Sequence, residues 1–185
     1  MQGIGCTGRG ETMTPAKAKP AARSKRRTAR QKLEAVHASH GKVFPVPPEM
    51  RRMMGPDAAT MVVARPTDVD DAMRAVPKGK LLTMTQLRSI LARDAGADAA
   101  CALTTGIFVR LAAEAAEEDR AAGRSRFTPW WRTIKDGGRL NDKFPGGVKA
   151  QAARLLAEGH VIERGRGASS LRVKGFESRL IRGVP

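Results

Sequence analysis

Two indoles stand side by side in "FTPWWRTIKDGG", Phe127 to Gly138, and they are the only Trp in a chain that has five Phe and no Tyr. Neighbouring side chains on a helix or strand point in different directions, so adjacency is not how a core element spaces its large aromatics. The segment Pro129-Trp130-Trp131-Arg132 follows Arg124 and Arg126 and precedes Lys135, Arg139 and Lys143. That mixture offers ring faces together with phosphate-seeking cations, the chemistry that receives a base taken out of its stack. The plainer alternative is that one Trp anchors the loop in the core and the other rests on the surface.

Other reactive residue types are sparse. Cys101 lies three residues before Thr104, where a helix dipole would favour a thiolate, but it reads better as a small apolar residue packed in a connector. Glu114, Glu117 and Glu118 fall at helical spacing and read as a solvated acidic helix end. Two Cys, Cys6 and Cys101, are too few for a disulfide framework or a multi-Cys zinc site, and His37, His40 and His160 are scattered. No P-loop, dinucleotide fingerprint or HExxH sequence is present, so neither a metal nor a cofactor is expected.

The elements that must position these residues follow from periodicity. Residues 1–42 carry "KAKPAARSKRRTARQK" with almost no apolar period, which predicts a flexible basic arm. Residues 43–65 read as an extended, Pro-rich lead-in. From 66 to 175 a single domain is expected, with residues 176–185 as a tail. Its first helix, in "PTDVDDAMRAVPKGK", would take Thr67 as cap, place Asp68, Asp70 and Asp71 at its N-terminus, and end at Pro77. A second, "LTMTQLRSILARDAG", turns Leu87, Ile90 and Leu91 inward, with Thr83 or Thr85 as cap and Gly96 as its close. A third starts at Thr104 or Thr105 and buries Ile107, Phe108, Leu111, Ala112 and Ala115. Two helices joined by a tight connector match a helix-turn-helix. "VKAQAARLLAEG" is a further helix, and "HVIERGRGASSLRVKG" reads as strand, turn and strand, a wing. The fold class expected is mainly α, a winged helix-turn-helix with a small C-terminal β-hairpin.

Charge points to the partner. With 34 Lys+Arg against 18 Asp+Glu the chain carries +16, which favours a polyanion. Residues 67–119 hold six basic and nine acidic side chains, net −3, whereas residues 120–154 hold nine basic and two acidic, net +7. A nucleic-acid face is therefore expected from the start of the third helix and the loop that follows it. The basic residues do not line a long amphipathic helix, and "MQGIGCTGRGE" lacks the apolar core of a signal peptide, so a membrane partner is not expected and the cytoplasm, with the nucleoid, is.

Five pieces recur in order: "VPKGKLLTMTQLRSIL" leading to "TTGIFVR", "PWWR" at 129–132, "DGG" at 136–138, "FPGG" at 144–147 and "LLAEG" at 155–159. Over residues 66–162 they resemble the DNA-binding domain of the O6-alkylguanine-DNA alkyltransferases, whose signature runs Pro-Cys-His-Arg, a Gly-containing turn, Gly-Gly and a helix ending Leu-Leu-x-x-Glu-Gly. In that family the Cys accepts the alkyl group, the His deprotonates it through water, and the Glu orients the His. The matching positions here are Trp130, Trp131 and Glu158. An indole cannot replace a thiolate at neutral pH, so the resemblance implies no catalytic residue. It is similar instead to the alkyltransferase-like branch, which has Trp for the acceptor Cys and is understood to flip and bind O6-alkylguanine and flag it for nucleotide-excision-repair proteins. That branch keeps His where this chain has Trp131. The family's base-rotating Tyr aligns with Met84 and its intercalating Arg near Leu103, with Arg110 one or two turns further on.

The expected function is thus a monomeric, non-catalytic binder of duplex DNA, including alkylated DNA. Pro129, Trp130, Trp131, Phe144 and Glu158 would form a base pocket. Thr104, Thr105, Gly106 and Arg110 would bring the recognition helix to the groove, and Arg126, Arg132, Lys135 and Arg139 would meet phosphates. Two alternatives compete: a divergent alkyltransferase using Cys101, and a general nucleic-acid binder driven by the basic arm.

Overall fold

A computed structural model describes residues 27–55, 57–165 and 170–182. In chain order the helices are α1 (Ala29–Leu33), α2 (Arg51–Met54), α3 (Pro66–Arg74), α4 (Met84–Asp94), α5 (Ala102–Ala121) and α6 (Gly147–Ala157). The strands are β1 (Lys42–Pro45), β2 (Thr60–Val63), β3 (Leu82–Thr83), β4 (Ala99–Ala100), β5 (Thr133–Ile134), β6 (Ile162–Arg164) and β7 (Leu171–Val173). The architecture is mixed, with helices around three small sheets of order β1-β2-β4, β3-β5 and β6-β7.

The core is built on α5. Ala112, Ala113, Ala115 and Ala116 are wholly buried, because small side chains let other helices approach its axis closely. α3 packs on one flank through Val69 and Met73, and α1 on another through Leu33. Leu81, Leu82, Leu87, Ile134, Leu155 and Trp130 complete the same cluster, so the loop that carries the indoles is part of the core.

Several sequence expectations are met. Thr83 caps α4, accepting from the Gln86 backbone N–H at 3.1 Å while Gln86 answers with a bond to the Thr83 N–H. Gly96, at φ 64°, follows the helix in the left-handed conformation that a Cβ disfavours. β6 and β7 pair antiparallel as expected of "HVIERGRGASSLRVKG", and residues 166–169 between them lie outside the described residues.

Others need correction. Of the arm expected over 1–42, residues 1–26 lie outside the described residues, and residues 28–34 form a capped helical turn that packs against α5. Thr28 accepts from Gln31 at 3.1 Å, and Glu118 caps the new helix from across the molecule, accepting from the N–H groups of Ala29 (2.7 Å) and Arg30 (3.0 Å). Within the lead-in at 43–65, β2 pairs β1 and also β4, so this segment supplies a sheet. Thr67 does not cap α3; Pro66 opens it and Asp68 accepts from the Arg65 N–H at 3.1 Å. α5 begins at Ala102, earlier than expected, and Ile107, expected in the core, faces outward at 54% exposure beside Leu103 at 65%. The tail at 176–182 is docked too, since Leu81 donates to the Arg179 carbonyl at 2.9 Å and Ile181 donates to that of Leu81 at 3.0 Å.

Candidate nucleic-acid interface

Pro129 leads into a 3₁₀ turn, Trp130–Arg132, from which β5 runs parallel to β3. Gln151 of α6 fixes this turn from below. Its amide donates to the carbonyls of Trp131 (3.0 Å) and Thr133 (2.8 Å) and accepts from the Asn141 N–H at 2.6 Å. A wholly buried amide must satisfy both ends, and here it does so with three backbone groups, locking the turn in one conformation. On the other side, the Thr128 hydroxyl donates to Asp70, which is itself buried on α3 and also accepts from Arg74 (2.7 Å) and Arg30 (3.5 Å).

The indoles do not stack. Their centroids are 5.9 Å apart at 82°, an edge-to-face contact. Trp130 is 1% exposed, packs on Phe144 at 5.1 Å, and donates to Glu117 at 3.0 Å. It fills the core and takes the anchoring role expected of one of the two, but the second indole does not rest on the surface as expected, because α6 and Arg132 cover it. Trp131 is 8% exposed, and its indole donates to Glu158 at 2.8 Å. The guanidiniums of Arg154 and Arg132 lie 5.1 Å and 5.7 Å from its ring centroid. Phe127 sits 6.3 Å away.

Glu158 is the polar hub. Besides Trp131 it accepts from Arg132 Nε and Nη2 and from the Gly79 N–H at 3.1 Å, while Arg132 Nη1 donates to the Val76 carbonyl at 2.7 Å. Burial alone would push this carboxyl up, but these donors hold it below its ordinary value. Glu117 behaves likewise: burial raises it, and Arg120 and Trp130 outweigh that.

Between Arg74, Arg126, Phe127, Pro129, Trp131 and Arg132 opens a cleft of about 520 Å³. Of the expected base pocket, the structure brings Pro129 and Trp131 to this cleft. Trp130 and Phe144 lie behind it in the core, and Glu158 acts through Trp131 and Arg132. Three guanidiniums flank the opening, but they differ. Arg132 spends its donors internally and is unsuited to the phosphate role expected of it. Arg74 is held by Asp70, and Arg126 is exposed with no partner among the described residues.

The remaining expected contacts divide similarly. Thr105 is buried at 1%, and the Thr104 hydroxyl bonds back to the Cys101 carbonyl at 3.3 Å. Gly106 and Arg110 are exposed, with Arg110 paired to Glu114 at 2.7 Å. Lys135 pairs with Asp142, and Arg139 is exposed, donating to the Asp136 carbonyl at 3.2 Å. Cys101 is buried against Val46 and Met61, away from the cleft lining, as its packing alternative anticipated. The acidic end of α5 proves structural: Glu114, Glu117 and Glu118 each hold a named partner. Sequence reasoning missed Arg74, Asp70 and Gln151. The available signals were an acid next to buried Val69 and a Gln on the same face of α6 as Leu155.

No family model matches this chain, and no curated protein does. Among solved structures, S. pombe Atl1 in complex with damaged DNA containing O6-carboxymethylguanine is similar at 21% identity and a TM-score of 0.44, over 64% of this chain and 94% of that one. S. pombe ATL in complex with DNA gives the same identity, coverage and score.

Proposed function

We propose that this protein binds duplex DNA without catalysis and holds an O6-alkylated guanine in the Trp131 cleft. The observation that carries this reading is the cleft itself, open beside Trp131 and rimmed by guanidiniums, in front of the buried Trp130 that stands where the resembled family has its reactive thiol. A base entering here meets Phe127, Pro129 and the exposed Arg126 beside Trp131. Arg126 and Arg139, with Arg110 on α5, carry the phosphate contacts, and the exposed face of Leu103 and Ile107 approaches the groove within a winged helix-turn-helix. In this role the protein is a monomer, cytoplasmic and nucleoid-associated, that marks a lesion for nucleotide-excision-repair proteins.

The test is a titration, followed by Trp emission, of duplexes that differ only in guanine against O6-methylguanine. Preferential quenching by the lesion is the expected result. Equal responses would reduce the protein to a general duplex binder, and a response insensitive to salt would remove DNA as the partner.

A further inference from the structure

A second cleft, of about 550 Å³, lies between α3, α4 and β2, with Ile181 from the docked tail at its edge. Its floor is apolar and largely made of small side chains, including Val62, Ala64, Ala72, Ala75 and Ala95. Its charge is opposite to that of the molecule: Asp68, Asp71 and Asp94 line it against a single cation, Arg65, in a chain of net +16. Asp71 has no ion pair among the described residues, and Asp94 is paired only with its neighbour Arg93. Such a surface repels nucleic acid and selects a cationic segment with small apolar side chains.

We infer that this cleft is the docking site of the chain's own residues 1–26. That segment holds six basic side chains (Arg9, Lys17, Lys19, Arg23, Lys25, Arg26) and one acid (Glu11), net +5, and its "TPAKAKPAARSKR" run, residues 14–26, intersperses cations with Ala and Pro. It joins the described chain just before α1, whose Arg30 reaches Asp70 on α3, while the adjoining Asp71 lines the cleft. Only the width of one helix, about 10–12 Å, separates those sides of α3. A segment of this length spans up to about 85 Å when extended, so reach is ample. Tethering gives it an effective concentration in the millimolar range, so modest complementarity is enough to fill the cleft.

The experiment places a nitroxide on Ala18→Cys in the full chain with Cys6→Ser, Cys101 being buried, and records amide spectra. Peaks of Ala72, Ala75, Ile90 and Ala95 should lose intensity. They should recover in the Asp71→Lys, Asp94→Lys double variant and in about 1 M salt, where the Debye length is about 3 Å. Both acids are exposed and Asp68, the α3 cap, is left intact, so the spectrum itself reports that the variant is folded. Undiminished peaks would overturn the inference, as would broadening that survives charge reversal. Broadening of a nitroxide-free labelled copy mixed into the sample would assign the cleft to a second molecule and overturn it too.

Discussion

At the scale of single residues, the carboxylate of Glu158 holds the Trp turn together. It orders an indole and a guanidinium, and the Glu158–Arg132 pair is nearly closed to solvent, with side-chain exposures of 8% and 14%. Removing one partner of such a buried pair strands the other, so Glu158→Ala should cost about 3 kcal/mol of unfolding free energy by chemical denaturation. Trp130→Ala should cost about 3–5 kcal/mol for the cavity it opens. The sign of the pH effect follows from the depressed Glu158 carboxyl. Its contribution is present above the ordinary value of 4.5 and is lost as pH falls through the lower folded value. Thermal melts between pH 7 and pH 3 should therefore show an acid limb that is shallower in Glu158→Gln. His160 adds an earlier loss. Burial lowers its pKa from 6.5, so stability should begin to fall below that pH, and less so in His160→Asn.

At the scale of elements, α4, with its Thr83 cap, and α6, with its apolar period, were legible from sequence, as was the β6-β7 pairing. What escaped was stabilised by partners distant in sequence. α1 is a single turn with little propensity of its own, and it exists because Glu118, 89 residues from Ala29, caps it and because Asp70 and Asp119 take Arg30. The Trp motif was legible as a site, but the division of labour between its rings was not, since that depends on which ring α5 and α6 bury. Asp70→Asn should loosen three elements together: α1 through Arg30, the cleft rim through Arg74, and the Trp turn through Thr128. The expected outcome is faster amide exchange in all three segments, with α6 unchanged. On the face of α5 proposed to approach the groove, Leu103→Ala and Ile107→Ala should change stability by less than about 0.5 kcal/mol because both side chains are exposed, yet weaken duplex binding measured by anisotropy.

At the scale of the whole molecule, charge is unevenly available. Arg132 is committed internally and Lys135 to Asp142, so fewer cations of the folded domain are free for phosphates than the composition suggests. Six phosphate contacts would lower affinity by about a thousandfold between 50 and 200 mM salt. The measured slope of log K against log salt should fall short of the one six contacts give, and Arg126→Ala should reduce it by about one further contact.

The four buried alanines of α5 carry a last consequence, for where the chain can be shortened. Their small size admits α1, and α1 in turn covers that flank and neutralises Asp70 and Asp119. A protein beginning at residue 43, the boundary that composition marks, would bare an alanine surface and leave two buried carboxylates short of a cation. One beginning at residue 27 keeps the cap, the ion pairs and the cover. The cut that looks cosmetic in the sequence is thus an amputation of the core.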